Sequence, residues 1–164
     1  FLRSGFVRDS ETPALTSLAM SAQRYRRLLR EGRATQAAGI SITEVDKARL
    51  YSLIELGQSA EYFELEHEIE RALVFDPAQM AQDVVTMNSR VLLEVDDQPM
   101  EVALVYPEDA DDDAGKLSVG CGIGTAILGY KAGDAFNWRV SNRTRDIRIK
   151  QVLYQPEAAG DFHL

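Results

Sequence analysis

Between Lys116 and Val140 the chain reads KLSVGCGIGTAILGYKAGDAFNWRV, and this stretch restricts the fold more than any other. Glycines at Gly120, Gly122 and Gly124 predict a sharp turn, because glycine tolerates backbone angles that other residues resist. A short apolar helix is predicted over 125–128, with Gly129 or Gly133 stopping it. From Asp134 a strand is expected, since Phe136 and Trp138 alternate with polar neighbours in the period-two pattern of a half-buried sheet. The other strands of the C-terminal half are expected to pack against this unit.

A chain of 164 residues suits one domain, or a small helical module attached to a compact sheet. Its 45% hydrophobic and 27% charged residues fit a globular protein. No apolar run reaches the roughly 18 residues of a membrane span, and residues 1–20 lack a secretory apolar core. The only cysteine, Cys121, rules out an intrachain disulfide and an all-cysteine metal site, so a cytoplasmic location is expected. The first residue is not methionine, so the chain reads as processed, trimmed or differently numbered, with Met20 an alternative start.

Charge is uneven. Residues 1–40 carry seven Arg against three acids, whereas 41–82 and 83–164 each carry a net −6. An acidic body repels phosphate backbones, which argues against direct nucleic-acid binding there. It suits a basic protein surface or channel. Within the first 40 residues, 14–31 is a candidate helix, and Arg24, Arg26, Arg27 and Arg30 form a candidate basic patch. The plainer reading is an extension with a linker over 32–39.

Two helices are predicted next. Thr43 and Asp46 resemble a shortened capping box, and Val45, Leu50, Leu53, Ile54 and Leu56 give 43–57 an apolar stripe. Gly57 stops that helix and Ser59 caps a second, about 59–75, with Tyr62, Leu65, Ile69, Ala72 and Leu73 on one stripe. Together they read as an antiparallel hairpin with its tip near 56–60. Glu61, Glu64, Glu66, Glu68 and Glu70 are expected on a solvated face. Asp76-Pro77 opens a short turn.

Strands are then expected at 84–86, 91–95, 102–106 and 147–154, with turns at 96–99 and 141–144. The run PEDADDDAG at 107–115 lacks the glycine and distal Glu of a calcium loop. This makes an α+β protein.

Catalytic patterns are missing. His67 has no partner at i±4 for zinc, neither histidine accompanies a nucleophile, and no G-x-S-x-G occurs. Cys121 sits at a helix start that favours a thiolate, but without a nearby histidine it reads as a packing residue. The glycines of 120–124 precede too short a helix, without Lys-Ser/Thr, for a phosphate cradle. No cofactor, metal or small-molecule substrate is expected.

The segments DVVTMNSRV (83–91), LVYPEDAD (104–111), AILGYKAGD (126–134) and LYQPEAAGDFHL (153–164) resemble the regulators of nucleoside diphosphate kinase, relatives of the GreA/GreB transcription elongation factors. ITEVDKARLYSLIE at 42–55 is similar to that family's opening helix. The resemblance implies a short helical hairpin over 41–82 and an FKBP-like C-terminal domain over 83–164, a twisted antiparallel sheet with one short helix. Residues 1–40 lie outside the pattern.

It also implies RNA polymerase as the partner, contacted near the secondary channel, with DNA or RNA met only indirectly. Gre factors carry an acidic pair at the tip of a long coiled coil. Here the tip has Gly57 and Gln58, flanked by Glu55 and Glu61, so transcript cleavage is not expected. Prolyl isomerase activity has no support in these residues. Where the family commonly has a small residue and proline before the short helix, this chain has Cys121-Gly122, a more flexible turn. The docking surface is expected at Tyr106, Ile123, Leu128, Tyr130, Lys131, Tyr154, Pro156 and Glu157. The expectation is a non-enzymatic polymerase regulator. The alternatives are a cleavage factor working through the same channel, or a nucleic-acid binder using the Arg-rich extension.

Overall fold

The computed structural model describes residues 39–57 and 62–164. The expected helix at 14–31 with its Arg patch, the cap at Ser59, and the tip residues Gln58 and Glu61 lie outside them.

Among the described residues, seven strands and four α-helices follow in order. Strand β1 (Ser41–Thr43) leads into α1 (Glu44–Leu56), α2 (Phe63–Glu70) returns, and β2 (Leu73–Phe75) closes the segment. Then come β3 (Arg90–Val95), β4 (Gln98–Val105), β5 (Lys116–Ser118), α3 (Gly122–Ile127), β6 (Ala135–Val140), β7 (Arg143–Tyr154) and α4 (Pro156–Ala159). The main sheet has the order β5-β4-β3-β7-β6. It is antiparallel except for β5, which pairs in parallel with β4, so the sheet is mixed rather than purely antiparallel.

Local chemistry explains most of these elements. In β3 the burial alternates strictly along Arg90–Val95, as a half-buried strand requires. Asp96 and Asp97 both take positive φ, which makes the tight turn of the β3–β4 hairpin. Phe136 and Trp138 point inward from β6 as expected, and Phe136 stacks on Tyr130. Thr43 caps α1, its Oγ1 accepting from the Asp46 N–H at 3.0 Å. Asp76 caps the 3-10 turn Pro77–Gln79.

Several expectations need correction. The second helix ends at Glu70, and Leu73–Phe75 instead pairs as β2, parallel to β1. A helix of eight residues is too short to persist on propensity alone, and pairing with β1 satisfies the backbone beyond it. Glu68 is not on a solvated face: it is fully buried and bonded to Arg71 at 3.0 Å. The expected strand at 84–86 is an extended strap with one isolated bridge, Val84 to Lys131. Its backbone bonds go to several elements rather than to one neighbouring strand.

The glycines of the opening motif also act differently. Gly120, Gly122 and Gly124 do not take positive φ. Gly124 is needed for closeness, because a Cβ there would lie 1.9 Å from the Ser118 carbonyl oxygen. Positive φ falls instead on Gly129, φ +77, which ends α3 as the spacing predicts.

One core joins these parts. Ile42, Leu50, Leu65 and Ile69 from the helical segment pack with Val85, Met87, Leu93, Leu104, Ile127 and Ile149.

Candidate functional site

The strap from Met80 to Ser89 is where the helical segment, α3 and the C-terminal turn meet. Val85 N–H donates to the Tyr130 carbonyl and Val85 O accepts from Gly129 N–H, each at 2.8 Å. Gln155 Nε2 donates to the carbonyls of Ala81 and Val84, so the end of β7 is tied to the same strap. Ser41 N–H donates to the Gly129 carbonyl, which seats β1 against the end of α3.

Two acids reach the strap, one from before it in the sequence and one from after it. Asp46, on the first turn of α1, is only 3% exposed, and its Oδ2 accepts from Met87 N–H at 3.2 Å. Glu157, on α4, accepts from Thr86 Oγ1 at 2.6 Å. Burial, then the charge of Glu157, pushes the Asp46 carboxyl up to about 6. The bonds from Met87 and Thr43 and the charge of Arg49 oppose this without cancelling it. Tyr106 faces the same group, and burial followed by the charge of Asp46 raises its phenol well above the ordinary range.

Beside this junction lies a cleft of about 700 Å³ between α1 and the exit of β4. Arg49, Leu53 and Leu56 form one wall, and Tyr106, Pro107 and Glu108 the other. Glu55 and Leu56 are exposed at the end of α1, and Gly57 is half-buried against Tyr62.

The expected docking residues divide into three groups. Tyr106 and Glu157 are brought together with Asp46 and Arg49. Ile123, Lys131 and Tyr154 lie elsewhere: Ile123 packs on the core from α3, Lys131 is bridged to Val84, and the Tyr154 hydroxyl bonds to Asp161. Leu128, Tyr130 and Pro156 are buried, so they support a surface rather than form one. In α3 the residues Gly124 to Ile127 are buried while Gly122 and Ile123 are half-buried, a division that six residues could not reveal by periodicity.

Cys121 caps α3, its Sγ accepting from Gly124 N–H at 3.4 Å, and burial raises its thiol rather than favouring a thiolate. Among the described residues, no group of three or more His, Cys, Asp or Glu is arranged to hold a metal ion. No described helix is long and apolar enough to cross a membrane. Sequence reasoning missed Asp46 as a junction residue. Its only signal was the capping spacing from Thr43, which says nothing of where the carboxylate points.

Residues 80–154 match the family described as transcription elongation factor GreA/GreB, C-terminal. The match starts at the strap and ends with β7. A solved structure, the prokaryotic transcription elongation factor GreA/GreB from Nitrosomonas europaea, is 35% identical, with a TM-score of 0.60. That likeness covers 71% of this chain and 98% of that one. The chain belongs to the GreA/GreB-type family of transcription factors. Within it, the similarity is to the regulator of nucleoside diphosphate kinase of Escherichia coli (strain K12), at 40% identity over 103 residues. This covers 61% of this chain and 76% of the relative. GreA of Prosthecochloris aestuarii is 39% identical over 94 residues, 55% of this chain and 59% of that protein. The relatives are named as regulators or elongation factors, not as catalysts of small-molecule reactions.

Proposed function

We propose that this protein is a regulator that binds RNA polymerase without promoting transcript cleavage. In this reading the C-terminal body over 83–164 docks near the secondary channel, and the helical segment over 41–82 is presented to it. The accessible part of the docking surface comprises the exposed Lys131 with the half-buried Tyr106, Ile123, Tyr154 and Glu157. The protein works in the cytoplasm, and its acidic body meets a basic protein surface rather than DNA or RNA.

The observation that carries the non-cleaving part is the length of the helices. α1 has 13 residues and α2 has 8, about 20 and 12 Å at 1.5 Å per residue. In sequence, Glu55 is followed by Leu56, Gly57 and Gln58, with Glu61 six positions on. A segment of that reach and composition is suited to occupying a channel entrance, not to delivering a metal ion deep inside it.

Core polymerase pull-down at micromolar protein and low salt tests the reading, and retention is expected. No retention would overturn it. A stalled-complex assay separates the alternative, since shortened transcripts would identify a cleavage factor. Deleting residues 1–40 is expected to leave polymerase retention intact. Loss of salt-sensitive nucleic-acid binding on that deletion would favour the Arg-rich extension instead.

A further inference from the structure

We infer that Asp46 and Glu157 form a protonation-sensitive clasp that fixes the base of α1 against the C-terminal body. The two carboxyl groups come from elements 111 residues apart in sequence and are held at adjacent positions of one strap. Met87 N–H holds Asp46 and the Thr86 hydroxyl holds Glu157. The strap is itself anchored, because Thr86 N–H and Oγ1 both bond to Ser89 Oγ at 3.0 Å. Moving α1 away from the body therefore breaks the bond at Met87 and exposes a buried carboxyl.

Among the described residues, three charged or titratable groups face Asp46. Arg49 is on the same helix, Tyr106 follows β4, and Glu157 lies on α4. The strap residues 84–89 (VVTMNS) contribute no ionisable side chain. One exposed cation thus stands against two carboxyl groups and a phenol, and the balance favours a proton on Asp46. This agrees with the upward shift of its carboxyl to about 6.

The sign follows from the shift. A carboxyl that holds its proton more tightly when folded stabilises the fold fully below its unfolded value near 3.8. That stabilisation is lost as pH rises through about 6 and stays lost above it. Mild acid tightens the clasp, and the base of α1 is held least firmly near neutral pH.

The experiment uses the full chain. The Asp46 carboxyl is titrated by carbon-detected NMR, and denaturant unfolding is measured from pH 5 to 7.5. The wild type's Asp46-dependent folding equilibrium should weaken about tenfold over that interval, read as the difference from Asp46→Asn. The Met87 amide should lose exchange protection in parallel. Glu157→Gln should lower the Asp46 midpoint, because it removes the nearby negative charge. A wild-type midpoint near 4, a pH slope unchanged in Asp46→Asn, or a midpoint unmoved by Glu157→Gln would each overturn the clasp. Should Asp46→Asn not fold, the midpoints of wild type and Glu157→Gln decide the question.

Discussion

The two ends of α1 carry similar residues to opposite fates. At the base, Asp46 and Leu50 are sealed into the junction with the strap and core. At the far end of the helix, Glu55 is exposed and Leu56 is 89% exposed. An acid and a leucine are thus structural at one end and presented at the other. Helical periodicity identifies the apolar face of α1, but it does not say how far along that face the body extends. The difference teaches that this helix is anchored by its first two turns. Its far end is exposed at Glu55 and Leu56, although Leu53 and Leu56 still line the cleft shared with Tyr106, Pro107 and Glu108.

The contrast is broken most severely by removing the seat of the base. Gly129→Val places a β-branched residue at φ +77, with its Cβ 2.5 Å from Ile40 Cβ and 2.9 Å from the Ser41 carbonyl oxygen. Backbone strain and overpacking together should cost about 5 kcal/mol, enough to unfold the chain in a thermal melt. Leu50→Ala, next in size, should cost about 3 kcal/mol by denaturant titration, since it leaves a cavity under α1. Thr43→Ala removes the cap bond to Asp46 and should cost about 1 kcal/mol by the same measurement.

At the tip the order reverses. Leu56→Ser should change stability by less than about 0.5 kcal/mol. If the segment enters a polymerase channel as proposed, the same substitution should weaken retention on core polymerase severalfold. A large stability loss from Leu56→Ser would show that the tip is covered after all. Unaltered retention would move the contact surface away from the end of α1, toward Tyr106 and α3.

Much of this arrangement was legible in the residues. The alternation of Phe136 and Trp138 placed β6, the spacing of Thr43 and Asp46 placed the start of α1, and of the two glycines expected to stop α3, Gly129 does so. These readings succeed because caps, αL positions and two-residue alternation are decided within a few residues. The docking residues were less legible. Leu128 and Tyr130 follow α3, and a six-residue helix sets no periodicity by which the burial of the residues after it could be told from exposure. Glu68 was grouped with its acidic neighbours because only the packing of α2 shows that it turns inward to Arg71. The strand at Leu73–Phe75 was hidden inside an apparent helical stripe, because its pairing partner lies 32 residues upstream.

The sequence alone therefore determined the α+β class, the Thr43 and Asp76 caps, the β6 alternation and the family, all of which depend on local chemistry or on motifs contiguous in the chain. Only the tertiary structure decided which acids are buried, which of the glycines serve close approach, and where the Asp46 carboxylate goes. Those outcomes depend on desolvation and contact between residues separated by tens of positions. The Asp46–Met87 bond spans 41 residues, and Asp46 and Glu157 meet only because both are held on the one strap.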